Sequence, residues 1–465
     1  MKLLRSLTLA VSLLAAAPAI AQSDDRPPAP VGRANFLWGV SRSGFQNDGV
    51  APSMDWALLE AGGKVKPSGK SVDFRGHMDA DLDRAKSLGI NAFRTSFEWA
   101  RLEPEAGRYD AAEVAYCHRL LKGIKSRGMA PIIVLHHFVT PAWAYKDAGD
   151  GLLGWESERT VQAYLRYVDF VVKEFGHEID VYITFNEPST VLLGGYMVGH
   201  IQPHRVGPVP MMRGIQNMLN AHIGAYERIH AADPGAMVSL TEYNSFFQPT
   251  GQDFAAGLPY MPGQLLGLLL DKVKGWDGQP RVKHLDFLAL HYYGSQDIGS
   301  ATSFPVEPYR WGSKPQHFRD ILRAYYETFR LPILVAENGF STKNGEPRAD
   351  GWSREAYMVA HIRELQEARH EGLPIMGYLY WTLTDNYEWG SFDPRFGLWS
   401  VEAAKGDMTR RETPAVGVYR DIIRHNGVTP ELARRFPPPE SAAAHAPVPR
   451  AVRPGVGDAT RWTLD

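Results

Sequence analysis

The chain alternates short apolar runs with longer stretches in which apolar positions recur at helical spacing. Eight runs stand out: Phe36 to Ser41, Ile90 to Phe97, Pro131 to Phe138, Val181 to Pro188, Met237 to Asn244, Leu285 to Tyr293, Pro332 to Gly339 and Ile375 to Leu383. They are rich in β-branched and aromatic residues, and Ile132-Ile133-Val134-Leu135 shows no polar alternation at all. Continuous apolarity over so few residues marks strands buried on both faces, as parallel strands sheathed by helices are. The stretches between predict helices, among them Asp79 to Leu88, Glu158 to Phe175 and Arg354 to Glu371. Several stop near a glycine (Gly89, Gly128, Gly176, Gly372), the residue that most readily ends a helix. Eight β/α units in succession predict an α/β chain folded as a single (β/α)8 TIM barrel with long βα loops. A doubly wound open sheet is the other arrangement of such units, but the glycine-rich dinucleotide fingerprint is missing.

The ends of the chain read differently. Lys2 and Arg5 precede an apolar stretch from Leu7 to Ala17 and a small-residue site at Ala19-Ile20-Ala21, the pattern of a signal peptide over residues 1–21. A linker over 22–34 then leads to a catalytic domain over 35–428. Residues 429–465, dense in proline and alanine, are expected to form a tail. The apolar stretch is too short to span a bilayer comfortably, so periplasmic or secreted localisation is expected, with no membrane contact after cleavage. The single cysteine, Cys117, excludes intramolecular disulfides and cysteine-based metal centres and is expected to pack inside a helix. Fifty basic against fifty-two acidic residues give a net charge of -2, without blocks of one sign. That balance points away from nucleic acid and towards a small neutral ligand.

In a barrel of this kind the active site lies at the carboxyl ends of the strands. The second run leads from Arg94 to Trp99 and Arg101. The third ends His136-His137-Phe138, the fourth Asn186-Glu187-Pro188, the sixth His291-Tyr292-Tyr293 and the seventh Glu337-Asn338-Gly339, while the eighth continues through Trp381 to Asp385, Asn386, Glu388 and Trp389. Glu187 and Glu337 each interrupt a strongly apolar strand, and the topology brings both to one pocket. Two converging carboxylates without a metal motif imply acid/base chemistry such as glycoside hydrolysis, with no cofactor and no metal expected. The Gly-x-Ser-x-Gly elbow of an esterase is missing.

Thr184-Phe185-Asn186-Glu187-Pro188 resembles the acid/base motif of glycoside hydrolase family 1, the β-glucosidase family, and Val335-Ala336-Glu337-Asn338-Gly339 resembles its nucleophile motif. The resemblance extends to Phe36-Leu37-Trp38-Gly39-Val40 with Gln46, to Arg94-x-Ser96-x-x-Trp99-x-Arg101-Leu102-x-Pro104, and to His137-Phe138 with Pro141. It closes with Trp381 through Trp389 and Arg395-Phe396-Gly397-Leu398, in the right order over roughly residues 35–427. It implies a retaining double displacement, with Glu337 as nucleophile and Glu187 as acid/base, the charge of Glu337 holding Glu187 protonated. It further implies that Arg94 and Tyr293 hydrogen-bond the nucleophile and that Asn186 takes the sugar 2-hydroxyl. Gln46, His137, Glu388 and Trp389 would bind other hydroxyls, and Trp381 and Phe396 would offer apolar faces. Glu388 occupies the position where relatives acting on 6-phosphorylated sugars typically carry serine, so a non-phosphorylated glycoside is expected. A transglycosidase would use the same residues, and a carbohydrate-binding pseudoenzyme would be expected to lose one carboxylate.

Three positions depart from the family pattern. His291, counted among the substrate-binding positions, replaces the usual asparagine before the Tyr-Tyr pair; it stands close enough to the reacting centre to alter sugar preference or pH optimum. Asp48 stands for the usual glutamate and Thr382 for the usual serine.

Overall fold

In the computed structural model, residues 36–146, 148–248, 284–297 and 307–440 are described. The signal peptide and linker expected over 1–34 lie outside them, as do residues 249–283. Eight parallel strands close into a barrel in chain order: β1 (Leu37–Ser41), β2 (Ala92–Ser96), β3 (Ala130–Val134), β4 (Val181–Asn186), β5 (Met237–Gln248), β6 (Leu288–Asp297), β7 (Ile333–Asn338) and β8 (Ile375–Trp381). Among the helices outside them are Phe74–Ser87, Ala111–Lys125, Glu158–Phe175 and Arg354–His370. The barrel and the helices expected from the apolar pattern are therefore present, and Cys117 is buried within one of those helices, as expected.

Two apolar layers explain why the strands read as continuous runs. Leu37, Ala92, Ile132, Val134, Val181, Ile183, Ala289, Leu334, Ala336 and Leu379 fill the barrel interior. Their neighbours Phe93, Ile133, Leu135, Tyr182, Leu290, Ile333 and Val335 join the core between strands and helices. Side chains alternate between faces with period two, so both halves of each run must be apolar.

The register slips by one residue at several places around the barrel, and two of them matter to the site. On β4, Ile183 pairs with Ser239 but Asn186 pairs with Thr241, three steps against two. On β7, Val335 pairs with Tyr378 and Asn338 with Tyr380, again three against two. An extra residue in a strand turns every later side chain to the other face. Phe185 and Asn338, which strict alternation would point inward, instead face the helices: Phe185 packs on Trp155 and Tyr164, and Asn338 Nδ2 donates to Tyr292 O and Tyr357 Oη. Asn186 and Glu337 are thereby delivered to the barrel mouth.

The tail expected from residue 429 begins as packed structure. Pro430–Arg435 is a helix whose cap, Thr429, accepts a hydrogen bond through Oγ1 from Leu432 N at 3.2 Å. Leu432 is 7% exposed and joins the main core, with Ala433 and Phe436 packed against it. The density of prolines outweighed this short capped segment in the sequence reading. Leu432→Ala is expected to cost about 2 kcal/mol, the low end for a buried leucine at a domain edge, and to lower the Tm in thermal unfolding without changing activity.

Candidate active site

The inward-facing positions at the strand ends converge. Arg94, fully buried on β2, donates through Nη1 to Ser41 Oγ at 2.7 Å and to Glu337 Oε1 at 2.5 Å, and through Nη2 to Asn186 Oδ1. Tyr293 on β6 donates its hydroxyl to Glu337 Oε2 at 2.6 Å. Burial holds that phenol well above its ordinary pKa, with the carboxylate of Glu337 acting in the same sense, so it stays a donor across the working pH range. Glu337 thus receives one charged and one neutral donor, on different oxygens.

Glu187 sits where β4 turns into the helix Pro188–Leu192, with φ 46°. This left-handed conformation is uncommon for a non-glycine residue and a frequent feature of functional sites. Its Oε2 accepts from Thr190 Oγ1 at 2.8 Å, and its Oε1 lies 2.6 Å from His291 Nδ1. Burial raises its pKa to about 7, with the Thr190 hydroxyl and the Arg94 charge opposing. Burial, rather than the neighbouring Glu337 charge expected from the resemblance, is the leading cause. His291 Nδ1 is also 3.4 Å from Glu337 Oε2, and one oxygen of each carboxylate and this nitrogen lie within 4.8 Å of one another.

A second network adjoins the first. Glu388 Oε2 accepts from Gln46 Nε2 and its Oε1 from Trp381 Nε1, each at 3.0 Å. Burial pushes the Glu388 carboxyl up to about 8; Trp381 opposes, and the charges of Glu337 and Glu187 add to the rise. His137 stacks on Trp381 with centroids 6.0 Å apart, and burial keeps it neutral. Trp381, Tyr293 and Phe396 form one aromatic cluster, bordered by Tyr243 and Trp311. Among the described residues, Asn186 Nδ2, Gln46 Oε1 and His137 Nδ1 are buried polar atoms without a hydrogen-bond partner. Such atoms are costly unless something pairs with them, and all three belong to positions assigned to sugar hydroxyls.

All twelve predicted site residues lie at this end of the barrel, though not all in one network. Trp389 is the outlier: it is 40% exposed, and its ring packs on Phe138 and Trp56 at the rim. Two departures from the family pattern are structural. Asp48 is held by Arg42 at 2.7 Å and by Arg75 N at 2.9 Å, and Thr382 donates to Ser41 O at 2.7 Å. The sequence reading missed Glu242 on β5, which accepts from Ser189 N at 3.2 Å and from the Ser189 hydroxyl, anchoring the turn that follows Glu187. Its signal was present: Thr241-Glu242-Tyr243 is another polar break at the end of an apolar run. Thr190, three residues beyond Glu187 in one helical turn, was missed because it continues no motif.

The sequence profile of glycosyl hydrolase family 1 matches residues 32–258 and 283–428. The galactolipid galactosyltransferase SFR2 of Arabidopsis thaliana chloroplasts is 27% identical over 380 residues; the match covers 76% of this chain but only 58% of that protein. The beta-galactosidase of Pyrococcus woesei is 25% identical over 508 residues, covering 85% of this chain and 98% of the relative. Among solved structures, a beta-glycosidase from Pyrococcus horikoshii superposes with a TM-score of 0.75 at 25% identity, covering 87% and 97% of the two chains. With this barrel, these paired glutamates and a family match over more than half its length, the chain belongs to glycosyl hydrolase family 1 and is an O-glycosyl hydrolase.

Proposed function

We propose that this hydrolase is an exported, retaining β-glycosidase, read as a β-glucosidase, that cleaves non-phosphorylated β-glycosides by double displacement. The observation that carries the mechanism is the approach of the Glu187 and Glu337 oxygens to within 4.8 Å. Retaining enzymes hold their carboxyl groups about 5–5.5 Å apart, whereas inverting enzymes need about 6.5–9.5 Å to admit a water.

The environments divide the roles. Glu337, oriented by Arg94 and Tyr293, attacks the anomeric carbon. Glu187, at about 7, is largely protonated below neutrality and gives its proton to the departing oxygen. It is then a carboxylate of suitable basicity to deprotonate the water that cleaves the glycosyl-enzyme, since an acid/base group works best with its pKa near the working pH. Asn186 Nδ2 is available to the 2-hydroxyl, where a hydrogen bond strengthens in the oxocarbenium-like transition state.

Glu388 bears on substrate class. With its pKa at about 8 it is mostly protonated at neutral pH, so charge repulsion is the smaller part of the case against a 6-phosphate. The larger part is that, among the described residues, Glu388 is hydrogen-bonded to Gln46 and Trp381, neither of them a cation, while Arg94 is committed to Glu337 and Asn186. The rim bears on the aglycone. Among the described residues the exposed large apolar side chains are Leu58, Trp389 and five between 197 and 212, namely Met197, Val198, Val206, Val209 and Met212. All follow the carboxyl ends of β1, β4 or β8, on the face that carries the glutamates, which supports an apolar aglycone.

A panel of p-nitrophenyl β-glycosides tests the reading. Turnover of the glucoside is expected, with the 6-phosphoglucoside at least ~100-fold poorer in kcat/KM for want of a cationic partner; activity confined to the 6-phosphate would reverse the reading of Glu388. A second reading, transfer to an acceptor alcohol, is favoured by the name of the Arabidopsis relative. It uses the same intermediate, and the ratio of transfer product to free sugar in the presence of an alkyl alcohol separates the two.

A further inference from the structure

We propose that His291 is a positioning residue for the acid/base catalyst, its Nδ1–H donating to Glu187 Oε1 and steadying the carboxylate form that the second half-reaction requires. This rests on the reading of Glu187 given above and assigns a purpose to the residue that most clearly departs from the family pattern. His291 is fully buried, pairs with Glu337 across β6 and β7, and keeps the inward parity of Phe287 and Ala289 on its strand. Its Nδ1 meets two carboxylate oxygens, Glu187 Oε1 at 2.6 Å and Glu337 Oε2 at 3.4 Å. Glu337, held as an acceptor by Arg94 and Tyr293, and Glu187 in its ionised form both favour a donor at this nitrogen, so the proton is assigned to Nδ1. Burial keeps the ring neutral, so it offers one N–H without placing a second cation beside Arg94.

The assignment orders the protons. In the resting site Glu187 Oε1 accepts from His291, so the transferable proton belongs on Oε2, beside the Thr190 hydroxyl. When the Glu337–anomeric carbon bond forms and the glycosidic bond breaks, that proton passes to the leaving oxygen. Glu187 is left as an anion with two donors, His291 and Thr190. It then takes a proton from water as the water oxygen bonds the anomeric carbon and the ester to Glu337 breaks. Among the described residues, the other ionisable groups that face this carboxyl include Arg94 on β2, Glu242 on β5, Tyr293 on β6, Glu337 on β7 and Glu388 beyond β8, with His137 beyond β3 beside Asn186.

A donor aimed at the charged form lowers a carboxyl pKa, so its removal raises it. For His291→Leu, the alkaline limb of kcat/KM for p-nitrophenyl glucoside is expected to move up by about one pH unit. With 2,4-dinitrophenyl glucoside, whose departure needs little acid help, kcat should fall by roughly tenfold as deglycosylation slows. His291→Asn, which restores an N–H at this place, should return both towards wild type. A limb that stays put or moves down in His291→Leu would overturn the proposal. Nitrogen-15 spectra of the wild-type enzyme test it without any variant: a protonated Nδ1 is expected, and a protonated Nε2 with bare Nδ1 would overturn it. If the wild-type limb persists in Glu187→Gln, the fault lies with the reading of Glu187 itself; if the limb disappears there but is unmoved in His291→Leu, only this inference fails.

Discussion

Glu337→Ala is expected to abolish turnover of aryl β-glucosides, lowering kcat by on the order of 10⁵-fold, the scale on which a covalent mechanism suffers when its nucleophile is removed. The carboxylate is held from two sides by Arg94 and Tyr293, and among the described residues the neighbouring carboxyls are committed elsewhere: Glu388 to Gln46 and Trp381, and Glu187 to Thr190 and His291. The variant also leaves Arg94 buried beside an uncompensated space, a change that can itself cost about 3–5 kcal/mol. Glu337→Gln, which keeps the volume and an acceptor oxygen, separates chemistry from folding. It should unfold nearer the wild-type temperature and be just as inactive. Residual rates within tenfold of wild type in a folded Glu337→Gln would remove Glu337 from the nucleophile's role.

The barrel was legible because burial on two faces leaves its mark on composition: a strand such as Ile132 to Leu135, lodged between an apolar interior and apolar helices, has no position left for a polar residue. The glutamates were legible because they break that rule. What could not be read is the way the breaks are aimed. On a regular strand, inward positions continuing from Ile183 and Ala336 would be Phe185 and Asn338, and the sequence contains nothing that announces an extra residue in β4 or β7. The bulges follow from closing the barrel, a tertiary demand. Glu242 went unread for the opposite reason: its signal was local, but its role lies in anchoring Ser189 some 53 residues away. The helix Pro430–Arg435 was hidden by the prolines around it, although its threonine cap was in plain view.

Glu187→Ala is expected to produce a loss that depends on the leaving group. General acid catalysis contributes about 10²–10⁴-fold, and a substrate that departs readily as an anion forgoes most of it. Alkyl glucosides should therefore lose the full factor in kcat/KM, whereas 2,4-dinitrophenyl glucoside should still glycosylate Glu337 at a near wild-type rate. With that substrate the glycosyl-enzyme should accumulate, since no base remains to activate water. Azide, which needs no deprotonation, should restore turnover and yield the β-glycosyl azide, the anomer produced by a second inversion at the face Glu337 does not occupy. The pH profile carries an independent sign. Wild-type kcat/KM should fall as pH rises through about 7, where Glu187 loses the proton it must donate, and in Glu187→Ala that alkaline limb should be gone. A variant insensitive to leaving group, unrescued by azide and keeping the limb would place the acid elsewhere. Glu388, at about 8 another carboxyl of the pocket with a raised pKa, would then be the first residue to replace.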